Sequence, residues 1–217
     1  LKASVIEPFR EFLTRQGVKQ AGFILLFILM YKLGDSLATA LATPFYLDMG
    51  FTKTEIGSVA KFAALVPMIV GGMLGGILMV KIGINRALWL FGAVQIISIL
   101  GFALMARIGE GLWLLALVIG FEYLGVGLGT AAFIAFIFRT TNPAFAATQL
   151  ALFTAITAVP RTLASSVTGL IVEGVGWENF FYLCTLLAVP GMLLLLKVAP
   201  WNDEPKPVTN QESPESL

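Results

Sequence analysis

Histidine is absent from the 217 residues, cysteine occurs once, and charged side chains make up only 12%. Each shortage excludes something. Without histidine the chain lacks the commonest general base and metal ligand near neutral pH. The lone thiol, Cys184 in an apolar run, rules out an internal disulfide framework. A soluble domain carries about 25% charged residues, and half that share cannot cover a globular surface with polar groups. A net charge of +1 provides no basic field for nucleic acid. No phosphate-binding loop, metal-ligand cluster or nucleophile–base pairing occurs, so no enzyme, metal site or cofactor is expected.

What remains is apolar. Hydrophobic residues make up 58% of the chain and the mean hydropathy is +0.89. A bilayer-spanning helix needs about 20 mostly apolar residues. Six such runs occur, at about 21–46, 56–80, 87–106, 112–138, 147–172 and 180–198. They are too long for barrel strands and lack a two-residue alternation. The fold expected is therefore all-α: six transmembrane helices joined by short loops. Residues 1–20 form a polar leader that does not read as a cleaved signal. Residues 21–198 form the bundle. Residues 199–217, rich in proline and acids, form a tail expected to be disordered. The start at Leu1 rather than methionine suggests a piece of a longer chain.

Lysine and arginine in the loops set orientation. One side holds Lys2, Arg10, Arg15, Lys19, Lys81, Arg86, Arg139, Lys197 and Lys206, and the other holds Lys53 and Arg107. That asymmetry predicts cytoplasmic termini.

Five charges lie inside spans: Lys32, Asp35, Lys61, Glu122 and Arg161. Near a helix centre a Lys, Arg or Asp costs about 2.5–3.5 kcal/mol on an insertion scale, so each needs a partner or a function. At ~1.5 Å per residue, Lys32 lies roughly 16 Å into its span, Glu122 about 15 Å and Arg161 about 20 Å, all near the midplane. Asp35 follows Lys32 by one helical turn. Lys61, about 8 Å from a span end, has a short route to water. Structural readings stand beside the functional ones. Lys32 and Asp35 can form a purely structural pair, and Glu122 can cap a helix break at Gly125, Gly127 and Gly129. Arg161 can bond carbonyls freed by Pro160, and Lys61 can snorkel. The charges fall in spans one, two, four and five, which divides the helices into two triplets. The triplets enter from opposite sides, the inverted-repeat plan of many carriers. Spans three and six, without charges, are expected at the periphery. Gly71, Gly72, Gly75 and Gly76 form two overlapping GxxxG patterns suited to close packing. Thr52 and Glu55 read as a capping box.

Residues 76–86, GILMVKIGINR, resemble the loop signature of the major facilitator superfamily, with Val80 where an aspartate is usual. YKLGD at 31–35, the pair Ala60–Lys61, Phe121–Glu122, GLGTAAF at 127–133, ATQLAL at 147–152, Pro160–Arg161 and VPG at 189–191 resemble its muropeptide permease family. The resemblance implies one half of a major facilitator fold, the C-terminal six-helix half, built as two inverted three-helix repeats. It implies a multi-pass protein of the bacterial inner membrane that imports anhydromuropeptides, small anionic glycopeptides, with protons. Its partner would be an N-terminal six-helix half, in the same longer chain or as a separate subunit. Asp35 and Glu122 are the candidate proton-coupling residues, and Lys32, Arg161, Lys61 and Gln149 the candidate substrate-binding ones. Ala60, Tyr123 and Pro160 depart from the family pattern beside charged positions. Two other readings stay open: a facilitator for another anionic metabolite (peptide, sugar acid or acyl-coenzyme A), and a non-transporting membrane scaffold or regulatory partner.

Overall fold

The computed structural model describes residues 6–109 and 111–202, without the side chains of Ala60, Arg161 and residues 163–167. The expected tail lies beyond the described residues from 203 on. Among the described residues there are helices and no strand. A short helix α1 (Glu7–Gln16) precedes the bundle. The first span comprises α2 (Val18–Tyr31), α3 (Leu33–Ala40) and α4 (Ala42–Asp48). The second joins α5 (Lys53–Glu55), a π-helical turn (Ile56–Ala60) and α6 (Lys61–Ile82). The third and fourth are α7 (Ile84–Ile108) and α8 (Leu112–Thr140). A 3₁₀ turn (Pro143–Phe145) leads into α9 (Ala146–Val198), which non-helical backbone at Gly176 divides into the fifth and sixth spans. Among the described residues six stretches are long and apolar enough to cross a membrane, as the sequence predicts.

The helices alternate in direction, which two aromatic cores make visible. One core gathers the end of the first span (Phe45, Tyr46), the end of the third (Phe102, Met105), the start of the fourth (Leu114, Leu115) and the start of the sixth (Phe180, Phe181). The other gathers the start of the first (Phe27, Tyr31), the start of the third (Leu88, Phe91), the end of the fourth (Phe133, Phe136) and Phe153 of the fifth. The two triplets turn alike. Gly83, between spans two and three, has φ 84° and ψ 159°. Gly176, between spans five and six, has φ 77° and ψ 166°. Both lie where an L side chain is strained, so glycine makes each reversal without a loop. The sequence placed a longer connection at 173–179, and the structure needs only this one non-helical residue.

The charge-free third span packs within this six-helix unit: half of its apolar window is buried, against 11% for the second span and 17% for the fifth. It lies between the fourth and sixth spans, with Gly92 beneath Met192, and between its end residues Arg86 and Arg107 it shows outward apolar side chains such as Leu90, Ile97 and Leu104, as a lipid-facing span would.

The GxxxG patterns divide by face. A Cβ on Gly71 would lie 3.2 Å from the Leu124 carbonyl carbon, and one on Gly75 3.2 Å from the Leu128 Cα. Reciprocally, one on Gly127 would lie 2.8 Å from the Gly72 nitrogen. Spans two and four therefore meet backbone to backbone. A Cβ on Gly72 or Gly76 meets nothing within 4 Å. The capping box forms as expected: Thr52 N donates to Glu55 Oε2 (2.8 Å) and Glu55 N to Thr52 Oγ1 (3.3 Å).

The leader is a strap rather than a free segment. Arg15 Nη2 donates to the Thr140 carbonyl at the end of α8 (2.8 Å). The Glu11 carboxylate accepts from Asn142 Nδ2 (2.7 Å), Gln149 Nε2 (2.6 Å) and Arg15 Nε (2.8 Å). Phe12, fully buried, meets Phe153 edge to face at 5.0 Å. Burial alone would raise the Glu11 pKa, but the donors from Asn142, Gln149 and Arg15 outweigh it and hold the carboxyl below its usual 4.5.

Two outcomes follow. Gly127→Ala should destabilise the bundle by about 1–3 kcal/mol through overpacking, whereas Gly76→Ala should stay within ~0.5 kcal/mol; equal thermal shifts in detergent would contradict the packing. The stability that Glu11 contributes is present above pH 4.5 and lost as pH falls through its lowered folded value. Spin labels at Thr14 and Ala147 should therefore stay close above that pH and separate below it. An interspin distance constant with pH would rule this out.

Candidate functional site

Between the two aromatic cores every central helix leaves a polar waist. The first span supplies Lys32 and Asp35, the third Gln95 and Ser98, and the fourth Glu122. The first span also loosens there: Lys32 has φ −98° and ψ 3°, and α3 restarts after it with Asp35 in its first turn. A carboxylate is favoured at that positive helix end.

The waist is one connected series. Lys32 Nζ pairs with Asp35 Oδ2 at 3.3 Å, with both side chains largely covered. Asp35 and, more weakly, Lys32 interact electrostatically with Glu122, which is only 1% exposed. The Ser98 hydroxyl hydrogen-bonds Glu122 Oε2. It also lies 2.8 Å from the Gln95 carbonyl. Two carboxyl oxygens, Asp35 Oδ1 and Glu122 Oε1, are buried and receive no donor among the described residues. Two acids and one base make this trio neutral when it holds one proton.

The glycines beside Glu122 are clearance, not a break. The fourth span is continuous through them, so Glu122 does not cap a helix end. A Cβ on Gly125 would lie 3.4 Å from Ser98 Oγ, and one on Gly129 would lie 2.6 Å from the Gln95 amide carbon. The third span's polar side chains occupy that room. Sequence reasoning missed Ser98 and Gln95 because uncharged polar residues in an apolar run raise no alarm. The glycine spacing opposite them was the available signal.

Lys32 and Asp35 also line a cleft of about 560 Å³ between the first, fourth and fifth spans, within the range of small-molecule sites. Ser36, Thr130, Thr154 and Thr157 bring hydroxyls to it, and Phe133 an apolar wall. The Thr154 hydroxyl donates to the Leu150 carbonyl (2.7 Å) and that of Thr157 to the Thr154 carbonyl (2.7 Å), leaving both oxygens free to accept.

The other candidates are placed differently. Lys61 is exposed on the second span, directly after the π-helical turn, and does not line the cleft. The Arg161 side chain lies outside what the structure describes; its backbone is helical. Gln149 is 1% exposed and committed to the strap. Its amide donates to the Pro8 carbonyl (2.8 Å) and Glu11 and accepts from Asn142 N (2.8 Å). It therefore stands apart from the cleft that a substrate would enter.

The family model for the Major Facilitator Superfamily matches residues 24–216. An uncharacterized protein of Haemophilus influenzae is 50% identical over 91% of this chain and 48% of its own length. The anhydromuropeptide permease of Escherichia coli K12 is 40% identical over 90% of this chain and 40% of its own length. The chain thus spans less than half the length of these curated relatives. With its six apolar helices it is a multi-pass membrane protein, and the family is one of transporters rather than enzymes. The chain belongs to the major facilitator superfamily.

Proposed function

We propose that this chain is the C-terminal six-helix half of a proton-coupled carrier that imports anhydromuropeptides across the bacterial inner membrane, with both termini cytoplasmic. The observation that carries the reading is the buried Glu122 beside the partly covered Asp35, with Lys32 as their one cation among the described residues. With one cation beside two carboxyls, the trio carries room for one proton by charge count alone. Asp35 faces both the cleft and Glu122, so a cargo carboxylate drawn to Lys32 would compete with Asp35 for the same ammonium. Substrate and proton occupancy are then linked through one pair of side chains. The cleft's hydroxyls suit a sugar ring, and its cation suits an acidic peptide.

The substrate class is supported by the likeness to the permease of E. coli. Arg161 joins Lys32 as a candidate partner for cargo carboxylates. Lys61, on the least covered span, would face an N-terminal six-helix half, supplied by the same longer chain or a separate subunit. Such a half would complete the cleft, since carrier sites lie between repeats. The excess of basic residues at the terminus-bearing end supports the orientation.

In a complete carrier reconstituted in vesicles, Asp35→Asn and Glu122→Gln should abolish uphill accumulation of labelled anhydromuropeptide under a proton gradient. Retained uphill transport by both would sink the coupling. Lys32→Gln should weaken cargo binding by about tenfold or more, the scale of one charge-assisted hydrogen bond. The measurement is competition by unlabelled anhydromuropeptide. The departures Ala60 and Tyr123 beside charged positions favour one second reading, a facilitator for a different anionic metabolite. Failure of anhydromuropeptide to compete, with a sugar acid or acidic peptide competing instead, would select it.

A further inference from the structure

The third span carries no intramembrane charge, yet its Ser98 hydroxyl hydrogen-bonds the Glu122 carboxyl. We propose that Ser98 is a positioning residue for the carboxyl pair, holding Glu122 in one place whether or not that carboxyl carries a proton. The proposal rests on the reading of Asp35 and Glu122 as proton-linked groups.

The geometry is specific. Ser98 and Glu122 are each 1% exposed, so both lie away from bulk solvent. Ser98 Oγ stands within hydrogen-bond reach of two acceptors, Glu122 Oε2 and the Gln95 carbonyl oxygen at 2.8 Å. A hydroxyl has one proton and two lone pairs, so it cannot donate to both at once. With Glu122 ionised, Ser98 donates to Oε2. With a proton on Oε2, the carboxyl donates to Ser98 Oγ, and Ser98 turns its own proton to the Gln95 carbonyl. With the proton on Oε1, Ser98 again donates to Oε2. In each case Oε2 keeps its partner by rotation of one hydroxyl, with no heavy atom moving. That economy matters because an unsatisfied buried polar group is costly in a low-dielectric interior.

The neighbourhood is arranged for this contact. Gly125 clears the hydroxyl and Gly129 clears the Gln95 side chain. The titratable groups acting near Glu122 are Asp35 and Lys32 on α3 and its start, Tyr46 on α4, Tyr123 on its own helix and Cys184 on the sixth span. The third span contributes none, so a change at Ser98 alters no charge directly.

The test uses the complete carrier in vesicles, with labelled anhydromuropeptide and two readouts: accumulation driven by a proton gradient, and gradient-free exchange. Ser98→Ala should lower driven accumulation about tenfold, the scale of one hydrogen bond to a charged group, and displace its pH profile. Exchange should stay near the unmodified rate. Ser98→Thr, which restores the hydroxyl, should recover driven accumulation. Ser98→Cys, close in volume and a weaker donor, should fall between, and it serves if the alanine variant does not fold. Unchanged accumulation and pH profile in Ser98→Ala overturns the assignment. So does an equal loss of accumulation and exchange at normal folded protein levels, which is the mark of a purely structural role. If Asp35→Asn and Glu122→Gln retain driven accumulation, the coupling reading itself has failed. If they lose it while Ser98→Ala does not, only the role of Ser98 has failed.

Discussion

A carboxyl group held away from water at the middle of a bilayer-spanning bundle must find its partners inside the protein. Glu122 imposes that requirement here, and much of the structure answers it. Asp35 approaches from the first span with Lys32 behind it, and Ser98 approaches from the third. The two aromatic cores lie to either side of this waist. The polar series runs from the cleft at Lys32 to the helix interior at Gln95.

The small residues make that arrangement possible. Gly71, Gly75 and Gly127 let the second and fourth spans touch through their backbones. Gly125 and Gly129 admit the third span's polar side chains on another face of the same fourth span. One helix therefore meets two neighbours closely while carrying a buried acid between them. At the terminus-bearing end, the strap α1 continues into the first span and bonds both the end of the fourth and the start of the fifth. These are the three spans that line the cleft, so one ten-residue helix ties its walls together at that end.

The membrane class, the six spans and the intramembrane charges were legible in the sequence, because burial in lipid leaves a direct compositional mark. Each span must satisfy its own backbone hydrogen bonds, so length and hydropathy alone reveal it. Charges stand out for the same reason: few residues are so costly at that depth. Asp35 and Glu122 could therefore be picked out in isolation, and the loop and span motifs could be matched to a family.

Which of those charges meet was decided only by tertiary structure. Lys32, Asp35 and Glu122 come together, Lys61 stays exposed, and Gln149 serves the strap. Depth along a helix is a one-dimensional quantity that composition records. The direction a side chain faces depends on helix rotation and crossing, and here backbone-close glycine contacts set those. For the same reason the sequence could not show Ser98. A serine in an apolar run costs little until the fold puts a carboxylate beside it.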